Sequence, residues 1–274
     1  MSIPSLSLEG KTAIVTGARR GIGEATALAF AEAGADVAIS DWVVEDGELA
    51  AVADKIEKLG RRSLAVQADV SRKADVDNLV QRVMDEFGTI DILANNAGIA
   101  SGTPLLEMGE DEWDSVIDVH LKGCYLCSQA VGKIMVEQKR GNIINIASVE
   151  GVRSVRRSAN PYPGAKAGIM LLTRGMAWEL GPYNIRVNAI APGAIKTGMF
   201  LLGAWSDPEI SKLVEARIPL GRIAEPAEIA NVALFLTSGA ASFITGHTIV
   251  ADAGLLAGFQ SPPHPDDLPK LELD

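Results

Sequence analysis

The feature that most constrains the fold is a repeated alternation. A short apolar run is followed by a longer amphipathic stretch, and the stretch ends at glycine. "KTAIVTG" (11–17), "DVAISD" (36–41), "SLAVQADV" (63–70) and "DILANNAG" (91–98) read as strands. Between them, "GEATALAFAEAGA" (23–35), "DGELAAVADKIEKLG" (46–60) and "KADVDNLVQRVMDEFG" (73–88) read as helices, because glycine just past the last periodic residue is a common helix stop. The second half repeats the pattern. It has one long helix over 110–139, a strand over 141–149, a helix over 165–181, a strand over 185–193, a helix over 226–238 and a strand over 247–254. Strands this apolar belong to a parallel sheet covered by helices on both faces. The predicted class is α/β, a doubly wound parallel sheet. The alternation never breaks, so it forms one domain over residues 1–258. Residues 194–224 depart from the pattern and predict an apolar lid, and 259–274 is a proline-rich acidic tail.

Composition narrows the function classes. The 274 residues are 47% hydrophobic and 22% charged, which suits an ordinary globular protein. A formal net charge of −10 argues against nucleic acid or an anionic membrane as the main partner. Cys124 and Cys127 are too few for a disulfide framework. The opening "MSIPSLSLEGK" has no basic stretch leading into an apolar one, and no uncharged run reaches membrane-spanning length. These readings predict a soluble, cytoplasmic chain.

"TGARRGIG" (16–23) lies where the first strand meets the first helix. Gly17, Gly21 and Gly23 let the backbone approach a pyrophosphate, and the helix N-terminus supplies amide donors. The spacing is G-x-x-x-G-x-G, and its strand–turn–helix context is what points to a dinucleotide. Asp41 ends the second strand, 24 residues after Gly17. A carboxylate there accepts hydrogen bonds from a free ribose 2′-hydroxyl and repels a 2′-phosphate, which favours NAD over NADP. Arg19 and Arg20 pull the other way, since either can pair with a phosphate. The carboxylate is given the greater weight.

The chemistry lies in "NPYPGAK" (160–166). Tyr162 precedes Lys166 by one helical turn, so phenol and ammonium share a face. Free tyrosine, with a pKa near ~10, is a poor base at neutral pH, and a nearby cation favours its phenolate. Such a tyrosine can take a proton from an alcohol and return it to a ketone. Ser148, at the end of "NIINIAS", can hold the substrate oxygen.

Together these residues resemble the short-chain dehydrogenase/reductase family, in its branch built on a single Rossmann domain. The resemblance spans about residues 7–254, and "TGARRGIG", "NNAG" (95–98), Ser148, "YPGAK" and "PGAIKT" (192–197) follow the family order. It implies that Gly17, Gly21, Ile22 and Gly23 line the cofactor phosphates, with Arg19 and Arg20 in the same loop. Asp41 would meet the adenosine ribose, and Asp69 and Val70 would flank the adenine. Asn95, Ala97 and Gly98 would border the middle of the cofactor. Lys166 would also bond the nicotinamide ribose, and Pro192, Gly193, Ile195 and Thr197 would hold the nicotinamide end. Tyr162 becomes the acid/base and Ser148 the substrate anchor. The implied assembly is a homotetramer, or a homodimer, with the helices over 110–139 and 161–181 as interfaces.

Three departures stand out. "DVHLKG" puts His120 where the family has a catalytic asparagine, which makes it a candidate proton relay. The Ser148–Tyr162 spacing is one residue longer than is usual in the family. Pro163 follows the tyrosine, which predicts a helix starting at about Tyr162–Pro163. Of the weaker signals, Cys124 and Cys127 fall inside a helix and read as packing, and His247 and His264 are isolated, so no metal is expected. Arg153, Arg156 and Arg157 read as surface or interface cations, or as contacts for an anionic substrate, and Met199, Phe200, Leu201 and Trp205 as lid or substrate wall. The expected activity is NAD(H)-dependent interconversion of a secondary alcohol and a ketone. Sugars or polyols, steroid-like or cyclic alcohols and 3-oxoacyl thioesters all stay open. The alternative is a dinucleotide-binding regulator or scaffold with little turnover.

Overall fold

Strands β1 (Thr12–Thr16), β2 (Asp36–Asp41), β3 (Ser63–Gln67), β4 (Ile92–Asn95), β5 (Gly141–Ile146), β6 (Ile185–Pro192) and β7 (Thr248–Ala251) form one sheet in the order β3-β2-β1-β4-β5-β6-β7. Every pairing is parallel. The computed structural model describes residues 5–100, 103–154, 161–198 and 207–258. The expected tail at 259–274, with His264, lies outside the described residues, as do Arg156, Arg157 and the lid residues Met199, Phe200, Leu201 and Trp205.

Alternation along the strands divides the core between two faces. Ala13 and Val15 pack with α1 (Gly21–Glu32), α2 (Glu48–Lys58) and α8 (Pro226–Thr237), around a fully buried Phe30. Ile14 points the other way, into a cluster with α3 (Lys73–Phe87) and the helix that carries Val131 and Met135. Each large side chain so buried contributes roughly 1.5–3 kcal/mol. The glycine stops are where the pattern put them. Gly88 caps α3 in the left-handed region at φ 74°, a conformation that needs no Cβ.

The long helix expected over 110–139 divides in three. Helix α4 (Glu110–Ile117) runs into a π-helical segment, Asp118–Lys122, and then α5 (Gly123–Gln138). The extra residue in that wide turn carries His120 into the interior. Gly123 follows where a Cβ would stand 2.8 Å from Val70 Cγ2, so the helix lies directly against the loop after β3.

The helix that carries Tyr162 and Lys166, α6 (Pro161–Leu180), begins at Pro161, just before the expected start. Both prolines then fall in the first turn, where amide groups have no helical acceptor, so neither interrupts a helical bond. Part of the expected lid is helix α7 (Pro208–Glu215), and Ile195 bridges to Ala224 within the same stretch. No helix among the described residues is long and apolar enough to cross a membrane.

Candidate active site

The sheet order reverses between β1 and β4, and the chains leaving their carboxyl ends part to either side. A crevice opens there, as doubly wound sheets require. Its volume is about 960 Å³. Its walls bring together all but two of the expected site residues.

The glycine loop forms the floor. Gly17 has φ 63°, and a Cβ on it would stand 2.7 Å from Ala97 Cα. A Cβ on Gly23 would meet the Gly17 carbonyl oxygen at 2.2 Å. Only glycine permits this curl, which leaves the N-terminus of α1 facing the crevice. Asn96 fixes the opposite wall to it, donating from Nδ2 to the carbonyls of Thr16 at 3.0 Å and Gly17 at 2.9 Å. Thr16 Oγ1 accepts in return from the amides of Asn96 and Ala97, both at 3.1 Å.

Asn95 is one of the two expected residues that the crevice wall does not include. As the last residue of β4 it points into the core, donating to Ser128 Oγ and Asn145 Oδ1, both at 2.9 Å. Asn96 takes the wall position. Period-two alternation is the signal that distinguishes the two, since adjacent strand residues face opposite ways. Gly23 is the other residue missing from the wall, and it acts through the turn.

At the far end, Asp41 Oδ1 accepts from the Val43 amide at 3.1 Å. Arg19 approaches it, with Nε 3.8 Å from that same oxygen. Asp69 Oδ1 is engaged by Ser71, through its amide at 2.9 Å and its hydroxyl at 2.7 Å. Trp42, exposed, and an acidic face formed by Asp111 and Asp114 of α4 with Asp118 of the π-helical segment also line the crevice. None of these was anticipated, although the helical period aligns the three aspartates on one face.

The residues expected to carry the chemistry meet where β5 ends and α6 begins. Lys166 is buried and donates from Nζ to the Ile146 carbonyl at 2.6 Å, and Nζ lies 5.5 Å from the centre of the Tyr162 ring. Burial pushes its ammonium down to about 8. Ser148 Oγ accepts from the Glu150 amide at 3.2 Å, capping a short 3₁₀ turn, Val149–Gly151. That bond leaves the hydroxyl proton available to donate.

His120 stands edge-on to Tyr162, with ring centres 5.1 Å apart and planes at 88°. Its Nε2 is 2.9 Å from the Ile99 carbonyl oxygen and 3.2 Å from the Ile99 amide nitrogen. Its Nδ1 is buried and makes no hydrogen bond among the described residues. Burial first, and the Lys166 charge second, push the imidazole down to about 3, while the Ile99 contact works against them. The ring is therefore neutral at ordinary pH. It also bounds a void of about 10 Å³ shared with Asn95, Cys124 and Lys166, space on the scale of one water.

The thiols of Cys124 and Cys127 are fully buried, and burial pushes Cys124 up to about 12 and Cys127 higher still. Neither is a nucleophile at neutral pH. No group of three or more metal-ligating side chains gathers among the described residues. Arg153 is exposed and forms no part of the crevice wall.

A family profile described as enoyl-(acyl carrier protein) reductase matches residues 17–256. The chain is 41% identical to (2S)-[(R)-hydroxy(phenyl)methyl]succinyl-CoA dehydrogenase subunit BbsD of Thauera aromatica, over 92% of this chain and 100% of that one. It is 42% identical to the 3-oxoacyl-[acyl-carrier-protein] reductase of Synechocystis, over 91% and 98%. Among solved structures, a short-chain type dehydrogenase/reductase from Mycobacterium marinum superposes with a TM-score of 0.86 at 37% identity, over 92% of this chain and 98% of that one.

Proposed function

Because this chain belongs to the short-chain dehydrogenase/reductase family and is an oxidoreductase, we propose that it interconverts a secondary alcohol and a ketone with NAD(H). The observation that carries the reading is the buried Lys166 ammonium beneath the Tyr162 ring. The crevice fits a dinucleotide. A glycine cradle that a Cβ would fill lies at one end of the α1 dipole, and a carboxylate stands at the end of β2.

When bound, the nicotinamide supplies the hydride acceptor or donor. Gly17, Gly21 and Ile22 would hold the phosphates. Asp41 would hold the adenosine ribose, and Asp69 and Val70 the adenine. Ala97, Gly98, Pro192, Gly193, Ile195 and Thr197 would enclose the remainder. Ser148 donates its hydroxyl proton to the substrate oxygen. Tyr162 Oη takes the alcohol proton in oxidation and returns it in reduction, and Lys166 stabilises the phenolate that this requires. His120, neutral and bonded to Ile99, positions the loop beside Tyr162 and leaves Nδ1 as an acceptor for a proton relay behind Lys166.

The two curated relatives are named for 3-oxoacyl and hydroxyacyl thioesters, so those thioesters head the substrate candidates. The test is steady-state turnover against secondary alcohols and ketones, thioesters included, with NAD(H) and with NADP(H), beside Tyr162→Phe. The expected result is turnover with NAD(H) that falls about 10²–10⁴-fold in the variant. A variant as active as the parent removes Tyr162 from the chemistry. NADH binding without turnover on any substrate would favour a regulator.

A further inference from the structure

Arg19 occupies the glycine loop, two residues after Gly17, with its side chain 13% exposed. A guanidinium there is well suited to pair with a ribose phosphate. It is already engaged by three carboxylates. Arg19 Nη1 donates to Asp46 Oδ2 and, at 3.0 Å, to Glu48 Oε2, while Nε faces Asp41 at 3.8 Å. Three acids against one cation leave a formal charge of −2 around it.

The β2–α2 connection is shaped to present those acids. Gly47 turns in the left-handed region at φ 76°, its amide bonded to the Val44 carbonyl at 3.1 Å. Asp46 Oδ1 accepts from the Glu48 amide at 3.1 Å, which aims Oδ2 at the arginine. Asp46 is therefore fixed by the backbone on one side and fixes Arg19 on the other.

We propose that Arg19 is a phosphate-reading cation held out of use by Asp46 and Glu48, so that the chain excludes a 2′-phosphate by two separate devices. Asp41 repels the phosphate directly. Asp46 and Glu48 withhold the cation that would otherwise bind it. The inference rests on the NAD reading of Asp41. It adds that removing Asp41 alone does not open the site to NADP.

The test is calorimetric binding of ADP-ribose and of 2′-phospho-ADP-ribose, which carry no nicotinamide, to the purified full chain. The quantity read is the ratio of the two affinities. Asp41→Ala alone, and Asp46→Asn with Glu48→Gln, are each expected to move the ratio less than about threefold. The three changes together are expected to move it toward the phosphorylated ligand by about 10–100-fold, the scale of one charge-assisted hydrogen bond. Adding Arg19→Ala should abolish that gain. Retained ADP-ribose binding by the Asp46→Asn, Glu48→Gln variant checks that the loop still folds.

A full gain from Asp41→Ala alone overturns the withholding role. So does a gain that survives Arg19→Ala, which would make Arg20 the reader. Wild-type protein that prefers the phosphorylated ligand defeats the NAD reading itself, a different result from either of these.

Discussion

Lys166 shows how one residue's environment sets both its protonation and its share of stability. Its ammonium is buried and bonded to the Ile146 carbonyl, and burial lowers it from about 10.5 to about 8. The sign follows from which state holds the proton. Between pH 8 and 10.5 the unfolded chain binds more protons at this lysine than the folded chain does, so the folded state gains stability as pH rises through that window. Lys166→Met is expected to lose this gain, about 2–3 kcal/mol by pH 10 relative to wild type, read as the difference between urea midpoints at pH 7.5 and 10. Turnover should fall with it by about 10²–10⁴-fold. A variant with the parent's pH–stability profile would mean that the lysine is not desolvated. That Tyr162, Lys166 and Ser148 come together in one crevice was legible, because one helical turn and one strand end set their spacing. Asn95 and Asn96 were harder to separate. Both sit in "NNAG", and only the alternation set by the register of β4 decides which side chain faces the crevice and which faces Ser128. Asp46 and Glu48 were not legible as partners of Arg19, because ion pairs across 27 and 29 residues leave no local pattern.

At the scale of elements, the strands and glycine-stopped helices follow from periodicity, and the π-helical segment does not. One inserted residue leaves the apolar pattern of 110–139 continuous, so a regular helix is the natural reading. The insertion matters because it buries His120 against Ile99 and Tyr162. A neutral buried imidazole makes the fold sensitive to acid. The group titrates at about 6.5 when unfolded and about 3 when folded, so the unfolded chain binds the extra proton between those values. Stability is fully present above pH 6.5 and is lost progressively toward pH 3. Wild type is expected to lose about 2–3 kcal/mol more than His120→Asn between pH 7 and 4.5, measured as the change in denaturant midpoint. Equal losses in the two proteins would place the ring in solvent. Pro161 and Pro163 suit a first turn and no later position, which fixes Tyr162 one turn from Lys166.

At the scale of the molecule, α6 connects the site to the surface. Its buried face carries Lys166, while its outer face leaves Leu171 69% and Trp178 89% exposed, seven residues and two turns apart. Tyr125, 46% exposed, adds an aromatic on α5. Large apolar side chains aligned on one helix face mark a contact surface, and closed symmetry between identical chains is its commonest use. A homo-oligomer packed through α5 and α6 would brace the helix that holds Tyr162 over Lys166. The expected outcome is that wild type migrates as a multimer in light-scattering chromatography, and that Leu171→Glu with Trp178→Glu reduces it to a single chain, because two buried carboxylates facing their symmetry copies cannot be solvated or paired. Turnover per chain should then depend on protein concentration in the variant, recovering as subunits reassociate, and be independent of it in wild type over the same range. Wild type running as a single chain would end this reading and leave Trp178 as an exposed side chain. An intact multimer in the double variant would move the interface to another face, where the fully exposed Phe243 and β7, the last strand of the sheet, offer the next surface.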